Sequence, residues 1–260
     1  MTWSVALVPG LPLLAMGLLL LRWRLQQPPR EPTGEHGAVG FACGLVSMLF
    51  AVLMGLAIVA VWGSLTTAQN NIRAEAGAAR QTYTLAQALP EQPQRLVRND
   101  TRSYVECATG PEWQNILRTG RTDTNCTELA LKLQLDTASW TPHNPREQLI
   151  WSETVRSTEQ MLAARRLREG DIGTGPPVLL KAGLLIDGVA VLAMALLRAH
   201  HRNRMDLAVV GLCGLLIAFQ LSLIFQIEDP YGNGIQVSER PLLDALNRIR
   251  VLDTRDGLTK

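Results

Sequence analysis

Four apolar runs, uncharged or nearly so, fall in two pairs along the 260 residues, with a polar stretch of 114 residues between the pairs. They cover Trp3–Leu21, Val39–Trp62, Pro177–Leu197 and Leu207–Ile227. A helix needs about 20 residues to cross a hydrocarbon core of roughly 30 Å, and each run has about that length. Lipid satisfies no backbone N–H or C=O, so a spanning run must close its hydrogen bonds internally, as a helix. The second run holds no charge over 24 positions, which a soluble core helix seldom does. The pattern predicts an all-α membrane protein: four transmembrane helices in two pairs, with a helical extramembrane domain between them. It divides the chain into a first pair (1–62), the extramembrane domain (63–176), a second pair (177–227) and a tail (228–260). Trp3, Trp23 and Trp62 lie at run ends, where amphipathic rings favour the headgroup zone. The first run has no basic segment before it, contains Pro9 and Pro12, and is followed by Arg22 and Arg24. It therefore reads as a retained, kinked membrane helix, not a signal peptide.

The polar stretch lacks alternating β-branched runs, so no sheet is predicted. Ser64–Leu89 is rich in Ala, Leu, Gln, Arg and Glu, reads as helix up to Pro90, and continues the second apolar run out of the bilayer. A second helix is predicted over about 92–119, weakened at Thr109-Gly110-Pro111, and a third over about 127–139. A fourth opens at Asn144-Pro145, where Asn caps and Pro suits the first turn, and runs to about Glu169. In the tail, a helix over about 238–252 carries Leu242, Leu246 and Ile249 on one stripe, with Arg248 and Arg250 off it. Such a stripe should dock on the domain or on a neighbour.

Mean hydropathy (+0.09) and net charge (+2) would suit a soluble chain, so only the windows reveal the membrane. No strongly basic tract occurs, and nucleic acid is not indicated. The short loop 22–38 carries Arg22, Arg24 and Arg30; the loop 198–206 carries Arg198, Arg202 and Arg204 beside His200 and His201. Short-loop charge places both loops in the cytoplasm of a cell whose plasma (inner) membrane holds the chain. The N-terminus, central domain and tail are then exoplasmic. Against this count stand Arg165, Arg166 and Arg168, near the third run on the other side. Cys107 and Cys126, the only cysteines of the polar domain, would bridge in an oxidising compartment or remain two unrelated thiols. Cys43 and Cys213 lie in membrane runs and read as small apolar residues.

Several motifs resemble an uncharacterised bacterial family described as bestrophin-like. An apolar helix ends in Val61 (or Ala60) and Trp62, followed by Ala68, Glu75-Ala76, Tyr83 and Leu89-Pro90. Further matches are Tyr104, Glu112-Trp113, Asn144-Pro145-Arg146-Glu147 and Arg165-Arg166. After the last apolar run come Pro230, Tyr231, Gly232 or Gly234, Val237, Ser238 and Pro241. The resemblance covers about residues 39–250. It implies distant kinship with bestrophins, pentameric anion channels with four membrane helices and helical extensions, hence a homo-oligomeric ion channel. Bestrophins hold the large helical domain in the cytosol, opposite to the charge count, and their constriction aromatics have no counterpart in register here.

No catalytic constellation or cofactor motif is apparent: His36, His143, His200 and His201 have no metal spacing, and no Gly-rich phosphate loop follows a strand. Glu228, Asp229 and Asn233 form a turn of oxygen donors, which is either a capping motif or a weak Ca²⁺ candidate. Gly40, Gly44, Ser47, Ala51 and Gly55 lie along one face of the second run, as Gly211, Gly214, Ala218 and Ser222 do in the fourth. Small stripes let helices approach closely, within one subunit or between subunits. Asp187 falls mid-bilayer in the third run, where a carboxylate needs a partner or water. Lys181, about 240° round the helix, is a poor partner, and Gln220 a better one. The carboxyl is either a protonated structural group or part of a permeation path for a small ion. Two readings follow: an oligomeric channel, or a non-conducting sensor or scaffold whose helical domain binds a partner. An enzyme is not expected.

Overall fold

The structure, a computed structural model, describes residues 36–175, 177–198, 204–226, 230–231 and 236–255. All elements are helical, and no strand occurs among the described residues. The longest helix, α1 (His36–Ala86), runs unbroken for 51 residues. It joins the second apolar run to the polar helix after it because no proline interrupts the ladder before Pro90. The predicted helix over 92–119 divides into α2 (Glu91–Thr109) and α3 (Pro111–Thr119). Gly110 leaves the helical region at φ −109°, ψ −96°, and Pro111 restarts the helix at its first turn, where a missing N–H is harmless. Gly120, left-handed at φ 65°, closes α3. Helix α4 (Thr124–Ser139) starts three residues earlier than its composition suggests, because the Asp123 carboxylate accepts the Asn125 N–H at 2.8 Å. At α5 (Pro145–Asp171), Asn144 accepts the Glu147 N–H at 2.9 Å while Glu147 accepts the His143 N–H at 2.9 Å. This is a capping box displaced by one residue. Then come α6 (Val178–Arg198), α7 (Arg204–Gln226) and α8 (Arg240–Arg255).

The chain forms two compact units. In the first, α1 up to Gly63 packs with α6 and α7. Phe50, Met54, Ala57 and Val61, at helical spacing, meet Leu184, Leu192, Ile217, Leu221 and Ile224. Gly188 sets the tightest approach: a Cβ there would lie 3.2 Å from Ile217 Cγ2 and 3.7 Å from the Phe50 ring. Two helices are long and apolar enough to cross a membrane, within Gly40–Ala86 and Val178–Leu196, and the fourth run supplies a shorter apolar helix, Val210–Phe225. Only 22% and 17% of the two long windows are buried, so their apolar surface is not core. The run Trp3–Leu21 lies outside the described residues, as do residues 22–35 and 199–203 of the two Arg-bearing loops.

The second unit holds the rest of α1, α2 to α5, residues 230–231 and α8. Its core includes Tyr83, Val97, Tyr104, Leu133 and Met161. Leu246 and Ile249 join that core, and Leu242 a neighbouring cluster with Ile72 and Trp113, so the tail stripe docks on the domain itself.

Candidate functional site

The most heavily charged buried site is a closed ionic network in the second unit. Four of its side chains, Glu75 on α1, Glu112 on α3, and Arg165 and Arg168 on α5, are 0–3% exposed. Arg168 donates from Nε to Glu75 Oε2 at 2.6 Å and from Nη2 to Glu112 Oε2 at 2.8 Å. Arg165 takes Glu112 in a bidentate grip, Nη1 to Oε2 at 2.8 Å and Nη2 to Oε1 at 2.6 Å, the planar fork geometry that lysine cannot supply. Its remaining donors reach Thr127 Oγ1 at 3.1 Å and Glu169 at 2.9 Å. The buried Tyr104 hydroxyl donates to Glu75 and accepts from Arg165 Nη1 at 3.3 Å. Two buried carboxylates thus meet two buried guanidiniums, so the charge closes to zero inside a low-dielectric core.

Burial alone would raise the Glu112 carboxyl, but hydrogen bonds and charge from Arg165 and Arg168 hold it below the usual carboxylate range. Burial opposes the charge on both guanidiniums as well, yet Glu75 and Glu112 overcome it and keep them more firmly protonated than free arginine. Burial, then the Glu75 charge, pushes the Tyr104 phenol far up, so it remains a donor. For Glu112 the folded pKa is depressed; its contribution to stability is present above the ordinary carboxylate pKa and is lost as pH falls through the folded value.

A second cluster anchors the tail. Asp253 of α8, 4% exposed, accepts from the Tyr83 hydroxyl, from Arg98 Nη2 at 3.4 Å and from Arg102 Nη1 at 3.3 Å. The Arg98 guanidinium also covers the Tyr83 ring at 4.6 Å. Nearby, Tyr231 sits edge-on to Trp113 with centroids 6.0 Å apart. The Gln69 amide brackets Ser238, accepting its N–H at 2.8 Å and donating to its carbonyl at 3.4 Å. Motif residues scattered from Glu75 to Ser238 thus lie within one unit. The arrangement presents no nucleophile with an adjacent base; chemically, it fixes helices in register.

Sequence reasoning placed Glu75, Tyr104, Glu112 and Arg165 in motifs but assigned them no role, and took Arg168 only as a topogenic charge. The missed signal is the buried face of α5: Trp151, Thr154, Thr158, Met161, Arg165 and Arg168 recur at spacings of three and four. The two arginines occupy core positions. Neutralised and buried, Arg165 and Arg168 drop out of any count of free charge, and only Arg166 of that trio is exposed.

The intramembrane candidates are less convergent. Asp187 is half-buried on the flank of the α6 face that carries Leu184, Gly188 and Leu192. Among the described residues no hydrogen bond or ion pair joins it to Gln220, the partner that sequence reasoning favoured. Lys181 is half-buried and has a partner of its own. On α1 the small stripe faces outward: Gly44, Ser47, Ala51 and Gly55 are exposed and Gly40 half-buried. No described atom lies within 4 Å of a Cβ placed at Gly44 or Gly55. Within one chain the close contact is made instead by Gly188. Cys107 of α2 and Cys126 of α4 are joined in a disulfide, Cα atoms 5.6 Å apart, while Cys43 and Cys213 are free. Glu228, Asp229 and Asn233 lie outside the described residues, and no other group of three His, Cys, Asp or Glu side chains suits a metal among those described.

The family model of the bestrophin-like domain matches residues 10–242. A variant of a bacterial bestrophin homologue from Klebsiella pneumoniae is similar in structure over 97% of this chain and 99% of its own, with TM-score 0.66 at 13% identity. Another variant of it covers 93% and 98% with TM-score 0.62 at 13% identity. A crystal structure described as a membrane protein covers 97% and 98% with TM-score 0.66 at 15% identity. At such identities the likeness concerns the fold. No curated protein matches the sequence.

Proposed function

The chain belongs to the bestrophin-like family, and on that premise we propose that it is a subunit of a homo-oligomeric ion channel in a bacterial plasma membrane. Four membrane helices in two pairs would surround or flank the pore, with the run Trp3–Leu21 as the first. Selectivity for anions, and five subunits around the axis, are what kinship with bestrophins implies. The observation that carries the assembly is a face of α1 that the other described residues leave uncovered. Phe41, Met48, Val52, Leu56 and Val59 are 52–76% exposed, interleaved with the open Gly44, Ala51 and Gly55. An apolar surface of this extent needs lipid or protein against it, and the small positions suit a sister helix. The domain, N-terminus and tail would be exoplasmic, a reading supported by the loop arginines and by the Cys107–Cys126 bridge, which an oxidising compartment maintains.

Particle stoichiometry in detergent tests the assembly: a closed symmetric ring is expected, and a monomer would overturn the channel reading in favour of a scaffold. Gly44→Leu and Ala51→Leu should each push neighbouring backbones apart and shift particles toward smaller species. Wild-type assembly from both variants would remove the stripe from the interface.

Asp187 has the half-buried flank position expected of a group facing a wet path, where its charge would disfavour anions. In liposomes, Asp187→Asn should change ion flux several-fold. Equal flux from both proteins would leave Asp187 a packing residue, and no flux from either would favour the scaffold.

A further inference from the structure

The seam between α2 and α4 is tied at two points on one face of α2, two helical turns apart. One tie is the Cys107–Cys126 bridge. At the other, Lys132 of α4 donates to Asp100 Oδ1 of α2 and pairs with Asp136 Oδ2 of its own helix at 3.2 Å. Asp100 is 5% exposed, and its second oxygen, Oδ2, is buried with no donor facing it. Lys132 Nζ contacts both carboxylates and so brings the Asp136 carboxyl beside Asp100. Two ionised carboxylates there would set acceptor against acceptor, with a single ammonium for two negative charges, one of them out of water. A buried acceptor without a donor costs about 1–3 kcal/mol, and a buried uncompensated charge more.

The geometry points to a proton-binding site: Asp100 carries a proton and donates it to Asp136, with Lys132 bridging both, so that the α2–α4 seam is a pH-sensitive clamp. With the proton in place the cluster is neutral, as one carboxylic acid, one carboxylate and one ammonium. Its loss leaves a net negative charge beneath α4. Burial, helped by Asp136, raises the Asp100 carboxyl against the pull of Lys132. Asp136 is held down, first by the Asp100 hydrogen bond and then by Lys132. Among the elements packed on α2, α4 supplies these two facing groups. Asp253 of α8 engages Arg98 and Arg102 instead, and Glu112 of α3 is taken by the α5 arginines. Because the folded pKa of Asp100 lies above its unfolded value, the stability it lends is complete at acid pH and is lost as pH rises through the folded value. The opposite depression at Asp136 acts only in the acid range. The clamp is independent of whether the membrane unit conducts.

The test uses the full chain in detergent. Wild type should show a protonated carboxyl band in the infrared that persists above the ordinary carboxylate range and weakens as pH rises further, together with a falling melting temperature. Asp100→Asn, which retains a neutral donor, should remove that band and flatten that part of the melting curve. If Asp100→Asn does not fold, the more exposed Asp136→Asn serves: without the neighbouring carboxylate, Asp100 should ionise more readily against Lys132, and the band should fade at lower pH than in wild type. A band and a melting profile unchanged by these substitutions would overturn the proposal.

Discussion

Arg168→Ala is expected to destabilise the extramembrane domain by about 3–5 kcal/mol, the usual cost of removing one partner from a buried ion pair. Arg168 is wholly buried and is the only basic partner of Glu75 among the described ion pairs, while also supporting Glu112. Its loss leaves Glu75, itself wholly buried, with the Tyr104 hydroxyl as its remaining donor. In a chain of this size the melting temperature should drop by on the order of 10 °C. Adding Glu75→Gln should recover part of the loss, because it removes the stranded charge. Arg166→Ala, two positions away and exposed on the other side of the helix, should stay within about 0.5 kcal/mol. Equal effects at Arg168 and Arg166 would refute a structural role for the network. Thermal scans of the purified protein, followed by near-ultraviolet circular dichroism, make the comparison.

Opening the Cys107–Cys126 bridge should have the second largest effect. The half-cystines are 19 positions apart, and closing a loop of that size is worth about 3 kcal/mol on a chain-entropy estimate. The loop contains all of α3 and therefore Glu112, so the double Cys→Ser variant loosens the segment that neutralises Arg165 and Arg168. The same bond reports topology. Cys107 is half-buried and Cys126 fully buried, so after mild reduction Cys107 should be the reactive thiol. With an impermeant thiol reagent, intact cells should label in a bridge-dependent way, the double variant giving the background from Cys43 and Cys213. Labelling that requires permeabilised cells would put the domain in the cytoplasm, the arrangement that kinship with bestrophins implies.

Much of the architecture could be read from local sequence because its causes are local. Length and apolar character mark Val39–Trp62, which has no charge, and Pro177–Leu197, which carries only Lys181 and Asp187, as helices long and apolar enough to cross a membrane. Gly110-Pro111 breaks a helix wherever it stands, and Asn144-Pro145 starts one. The tail stripe at Leu242, Leu246 and Ile249 needed only the helical period to be seen, and its buried face is the predicted one. The start of α4 lies three residues before the predicted one because it rests on a single capping side chain, Asp123.

What the sequence by itself determined was the helical class, the apolar spans and the polar interval between them, since hydropathy and capping act over a few neighbouring residues. Only the tertiary structure decided which charges meet. Glu75 and Arg168 are separated by 93 positions, Glu112 and Arg165 by 53, and Tyr83 and Asp253 by 170. No periodicity links such pairs; helices must first pack before an arginine and a glutamate share a core. The same holds for the small residues of the membrane unit. Gly44 and Gly188 look alike in sequence, yet packing buries Gly188 against Ile217 and leaves Gly44 facing outward, because the face of α1 that carries Phe50 and Met54 covers the other two helices.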